Sequence, residues 1–107
     1  MKENILKEKS LLFAIRIVNF YKHLISDQKK LILSKQVLRG GTSIGAMIRE
    51  AEFGQNKLDF IHKLSIAQKE INETIYWLEL LYKTNYLELD LYDSINFDAV
   101  ELIKNNY

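Results

Sequence analysis

Apolar residues recur along this chain at three- and four-residue intervals over long stretches, a spacing that predicts helices. Proline is absent and only four glycines interrupt the pattern, so the turn punctuation of an all-β chain is missing. The pattern places helix A at about Asn4 to Ser26, helix B at about Gln28 to Phe53, helix C at about Asn56 to Lys83 and helix D within Glu88 to Asn106. Ser26-Asp27 and Phe53-Gly54-Gln55-Asn56 are the breaks, and connections this short join antiparallel neighbours. The predicted fold is all-α, an antiparallel up-down-up-down four-helix bundle forming one domain over residues 1–107. Helix D carries an alternative, a turn over Tyr92 to Asn96 with Asn96 capping a helix that begins at Phe97.

Helical phase adds a second expectation. In helix A, Leu11, Ala14, Ile15, Val18 and Ile25 make one apolar face, and Phe13, Ile17, Phe20 and Leu24 make another. Only a wedge of Arg16, Asn19 and His23 is left for water. Helix C repeats this, with Phe60, Leu64, Ala67, Ile71, Ile75, Leu78 and Tyr82 on one face and Leu58, Ile66, Tyr76, Trp77 and Leu80 on the other. A bundle of this size buries one stripe per helix. The surplus predicts an apolar surface covered by another subunit or partner, because soluble monomers rarely expose one so large. Phe13, Ile17, Phe20 and Leu24, with Ile66, Tyr76, Trp77 and Leu80, are the residues placed at this oligomer interface, although the pattern itself does not decide which face is core. The plainer account is a small fold with aromatic-rich edges.

Composition narrows the chemistry. No cysteine is present, which removes disulfides, thiolate metal sites and a cysteine nucleophile and fits a cytoplasmic protein. No apolar run reaches the roughly 18 residues of a membrane span, and MKENILKEKS lacks the apolar region of a signal peptide, so no membrane partner is expected. Fifteen Lys and Arg against fourteen Asp and Glu leave a net charge of +1, so electrostatic recognition has to be local.

Local features are few. Each glycine in a helix interior costs about 1 kcal/mol against alanine, yet Gly40, Gly41 and Gly45 sit in the middle of helix B. The spacing Gly41-x-x-x-Gly45, with Ser34 and Leu38 along the same side, predicts close approach of another helix backbone. A phosphate cradle is excluded, because Arg39-Gly-Gly-Thr-Ser-Ile-Gly45 has neither the spacing nor the Lys-Ser/Thr of a P-loop. Glu50, Glu70 and Glu73 are the carboxylates to weigh as ligands of a di-metal centre, but such centres need Glu-x-x-His, which neither His23 nor His62 supplies. Ion pairs with Arg39 or Arg49 suit those glutamates better. No catalytic triad, metal or cofactor is expected, and the reading is non-enzymatic. Lys35, Arg39, Thr42 and Arg49 fall opposite Leu33, Val37, Ile44, Ile48 and Ala51, with Lys29 and Lys30 just before them. Such a basic stripe fits phosphates without reading bases; the ordinary alternative is a solvated face or cross-helix ion pairs. Tyr76 and Trp77 are candidates to stack on unpaired bases, and an oligomer interface explains them more simply.

Several blocks in one order carry a resemblance: Phe13-Ala-Ile-Arg-Ile-Val18, Leu33 to Arg39, Gly41-Thr-Ser-Ile-Gly-Ala46, Ile48-Arg-Glu-Ala51, Asp59 to Ala67, Glu73-Thr74 and Trp77 to Leu81. Together they resemble the four-helix-bundle family of 23S ribosomal RNA intervening-sequence proteins, which also takes in accessory proteins of diversity-generating retroelements. The resemblance implies a ring-like homopentamer. It also implies association with ribosomal or other structured RNA, or with DNA, and for the retroelement proteins an adaptor role toward a reverse transcriptase. The expected function is therefore a non-enzymatic oligomeric nucleic-acid-binding protein, with an oligomeric protein-interaction scaffold or adaptor as the alternative. Met47 stands where the family usually has Asn, so packing replaces whatever contact that amide made.

Overall fold

The computed structural model describes residues 2–24 and 31–106, with side chains over 5–24 and 31–104. Four helices run through the described residues: α1 (Lys2–Leu24), α2 (Leu31–Glu52), α3 (Lys57–Lys83) and α4 (Leu89–Asn106). The limits expected at Phe53, Asn56, Lys83 and Glu88 fall within one residue of these. Ile25, the Ser26-Asp27 break, the start of helix B at Gln28, Lys29 and Lys30 lie outside the described residues.

Pairs of side chains fix the direction of each helix. Lys7 meets Glu52 at 2.8 Å and Gly41 lies against Ile17, so α1 and α2 are antiparallel. Lys63 approaches Glu50 at 3.7 Å while Arg39 approaches Glu70 and Glu73 at 3.4 Å, which makes α2 and α3 antiparallel too. Tyr82 stacks on Tyr92 across the last connection, ring centroids 4.6 Å apart. Burial first, then Glu79, Asp93 and Tyr82, pushes the Tyr92 phenol above its ordinary value. Arg16 closes the square. Its guanidinium donates to the Asp98 carboxylate and to the Ser94 hydroxyl at 2.7 Å, tying α1 to α4. Each helix thus packs on its chain neighbours and α1 on α4, leaving α2 and α4 at opposite corners.

The core reverses the interface assignment made for helix A. Phe13, Ile17, Phe20 and Leu24 are buried, with Leu6 and Ser10 on the same stripe, whereas Leu11 and Ile15 are each 49% exposed. Desolvation decides this. On a helical wheel Glu8, Asn19 and Lys22 lie among Leu11, Leu12 and Ile15, while the sector from Leu6 to Leu24 carries no charge, and burying a charge is far costlier than burying a hydroxyl. Val37, Ile44 and Ile48 of α2, Ala67, Ile71, Leu78 and Leu81 of α3, and Ile95, Ala99 and Leu102 of α4 complete one cluster. Leu64, Ile75 and Tyr82 pack against it, half-buried, and Phe60 is half-buried as well. Ile66, Trp77 and Leu80, expected at an outer interface, are also half-buried, and Trp77 packs against the core; Tyr76 alone of that group is exposed.

Two further expectations change. Arg16, assigned to water, is a half-buried tether. Asn96 is no cap, because α4 is continuous and Tyr92, Ile95, Ala99 and Leu102 keep one inward stripe through it.

Local caps set the connections. Asn56 Oδ1 accepts from the Asp59 N–H at 2.9 Å, and Asp59 Oδ2 accepts in return from the Gln55 N–H at 3.2 Å, a reciprocal cap that starts α3. At its other end Tyr86 N–H donates to Leu81 O and Asn85 N–H to Tyr82 O, the paired bonds of a Schellman motif. Asn85 holds the required left-handed conformation at φ 68°. Glycine adopts it without the Cβ cost. Asn85→Gly should therefore raise stability by up to about 1 kcal/mol and Asn85→Val lower it by a similar amount, as read from urea midpoints.

Candidate functional site

The outward face of α2 collects what little chemistry the chain offers. Because Val37, Ile44, Ile48 and Ala51 turn inward, Lys35, Arg39 and Arg49 are held outward on the opposite side, away from the core. They do not form one uniform stripe. Arg39 leans toward α3, where Glu70 and Glu73 stand one helical turn apart and each accepts from its guanidinium at 3.4 Å. Its side chain remains 55% exposed, so these pairs are loose surface contacts. Lys35 has no ion pair among the described residues. Arg49 leans the other way, toward α1, over a groove it lines with Ser10, Leu11, Ala14, Thr42, Gly45 and Ala46. Thr42 and Ser43 are occupied locally, their hydroxyls donating to Leu38 O at 2.7 Å and Gly40 O at 2.9 Å.

Glu70 and Glu73 therefore serve Arg39, and Glu50 serves Lys63 rather than an arginine. His23 and His62 are exposed on α1 and α3. No group of three or more metal-ligating residues occurs among the described residues, and no described helix is long and apolar enough to cross a membrane.

The glycines divide by role. A Cβ on Gly41 would lie 2.8 Å from Ile17 Cγ1, and one on Gly40 would lie 2.6 Å from Thr74 Oγ1. Adjacent glycines thus let α2 approach α1 and α3 at the same level. Gly45, expected to share this tightness, leaves 3.5 Å to the Ser10 carbonyl oxygen, ordinary van der Waals contact. Gly40 is the position that the Gly41-x-x-x-Gly45 spacing misses, since it serves the other neighbour. Met47 is half-buried and packs on the core.

On α3, Tyr76 is 59% exposed and meets the Trp77 ring edge-on with centroids 5.1 Å apart. Trp77 is turned partly inward, so the pair does not present two parallel platforms for stacked bases. Charge is distributed unevenly around the bundle. Asp90, Asp93, Asp98 and Glu101 stand against Lys104 alone on α4, whereas α1 carries Lys7, Lys9, Arg16 and Lys22 against Glu8, and α2 carries Lys35, Arg39 and Arg49 against Glu50 and Glu52. A chain near neutrality therefore has an acidic corner at α4 and a basic side at α1 and α2.

A family model described as 23S rRNA-intervening sequence protein matches residues 2–106. Among solved structures, a crystal structure of a protein of unknown function from the S23 ribosomal protein family of Bacteroides thetaiotaomicron VPI-5482 is similar to this chain at 58% identity, with a TM-score of 0.96, 99% of this chain and 95% of that chain being covered. Comparison with curated proteins gives no match.

Proposed function

The chain belongs to the 23S rRNA-intervening sequence protein family, and from that premise we propose that it is a non-enzymatic, oligomeric nucleic-acid-binding protein whose ligand is ribosomal or other structured RNA. The observation that carries the reading is the segregation of charge, which sets outward-facing Lys35 and Arg39 on the corner opposite the acidic α4. Phosphates approaching α2 meet Lys35, and meet Arg39 where they displace its loose pairs with Glu70 and Glu73, while the carboxylates of α4 lie across the bundle. Side chains of this kind grip backbone and read no bases. One subunit offers few such contacts. A ring, for which five copies are implied by the family resemblance, repeats the patch and converts weak contacts into avidity.

Binding should accordingly be sensitive to salt and largely indifferent to sequence. Lys35→Ala should reduce the slope of log affinity against log salt by about 1 for each phosphate that the lysine neutralises in the parent, with the oligomeric mass unchanged. Fluorescence anisotropy with a labelled RNA hairpin and a DNA hairpin at several salt concentrations reads the slope and the sequence preference together. A parent that binds neither at low salt overturns the proposal. The pairing of Arg39 with Glu70 and Glu73 favours a second reading in that event, an oligomeric scaffold or adaptor for a partner protein, for which a reverse transcriptase is one candidate. Co-purified nucleic acid, seen as a high 260/280 absorbance ratio, separates the two at once.

A further inference from the structure

Leu11, 49% exposed, lies on the side of α1 turned away from the core, and Phe97 stands 64% exposed on the outward face of α4. We propose that these surfaces cover one another between copies: Phe97 of one chain seats in the groove between α1 and α2 of the next. The inference rests on the oligomeric reading above and specifies its contact. Three observations carry it.

The first is shape. The groove is floored by the small residues Ala14, Gly45 and Ala46 and walled by Leu11, so a helix presenting one large side chain can approach closely. The second is charge. Phe97 is followed one turn later by Glu101, which Lys104 of the same helix approaches at 3.6 Å, and the groove carries Lys7 and Arg49 against Glu50, a positive balance. The third is level along the bundle. Arg16 bonds to Ser94 and Asp98, which puts Phe97 at the height of the middle of α1, and the groove runs along α1 from Lys7 to Ala14, so that its Ala14 end reaches nearly that height. Copies related by rotation about an axis along the bundle keep their heights, so Phe97 arrives at the Ala14 end of the groove. Both Glu101 and Arg49 lie displaced toward the same end, the end where Lys7 meets Glu52. The contact joins two different surfaces, so it is head-to-tail and can close a ring.

The chain has no cysteine, which makes directed cross-linking clean. Ala46→Cys and Phe97→Cys, made singly, should stay uncross-linked under mild oxidation, and an equimolar mixture of the two should give disulfide-linked dimers. Arg49→Glu should raise the concentration at which the assembly dissociates by about tenfold or more, and adding Glu101→Arg should reverse this. If either single cysteine variant cross-links with itself, the contact is symmetric and the proposal is overturned. If the parent is oligomeric but the mixture gives no cross-link, another surface joins the copies. A parent that scatters light as a 12.6 kDa species at all concentrations removes the oligomeric reading itself.

Discussion

Ile17→Ala should lower the unfolding free energy by about 2–5 kcal/mol, while Ile15→Ala, two residues away on the same helix, should change it by no more than about 0.5 kcal/mol. Ile17 is completely buried and lies against Gly41, so truncation leaves a void that neighbouring helices cannot collapse into without breaking the α1–α2 seam. Ile15 is 49% exposed and gives up little on truncation. Urea titrations by circular dichroism at one fixed chain concentration provide the comparison, since assembly adds a concentration-dependent term. If Ile15→Ala proves the costlier of the two, the rotational setting of α1 is wrong and the face of Leu11 and Ile15 is the core.

Gly41→Ala should destabilise by about 1–3 kcal/mol, even though alanine in a helix is intrinsically better than glycine by about 1 kcal/mol. The added methyl would stand 2.8 and 2.9 Å from the two γ-carbons of Ile17, a branched side chain with no room to turn because it is itself enclosed. Gly45→Ala provides the contrast. Its methyl meets nothing nearer than 3.5 Å, so propensity should prevail and stability rise by up to about 1 kcal/mol. Thermal melts of both variants beside the parent test the sign of each change. Equal shifts for the two would show that the close approach is not centred where the structure puts it.

The helices were legible because their signals are redundant: apolar spacing, absent proline and the Asn56 cap all agree on where α3 begins, for instance. The setting of α1 was harder. Both of its stripes are apolar, and counting apolar residues gives no preference between them. A better criterion was present in the sequence, since Leu6, Phe13 and Phe20 with Ser10, Ile17 and Leu24 repeat every seven residues without a charge among them, while Glu8 and Lys22 intrude on the other face. The tether from Arg16 to α4 was not legible, because a cation on a helix edge looks alike whether it faces water or a carboxylate 82 positions away. The role of Gly40 is hidden for a related reason. Its role depends on Thr74 of α3, and no spacing within α2 encodes that partner. Of the candidate site, the outward placement of Lys35, Arg39 and Arg49 followed from helical phase alone; the engagement of Arg39 by two glutamates required the neighbouring helix.

The seams between helices are unequal, and that inequality gives the fold an order of opening. α2 packs on α1 and α3 over the most extensive seams, closest at the paired glycines, whereas α4 holds to α3 and α1 over less extensive ones. Local unfolding begins where least packing is given up, so α4 is the helix that detaches first while the other three keep their shared core. If α4 is also the helix that reaches into a neighbouring copy, assembly secures the part of the chain that folding leaves least secure. Chain concentration then sets how often that last helix is loose.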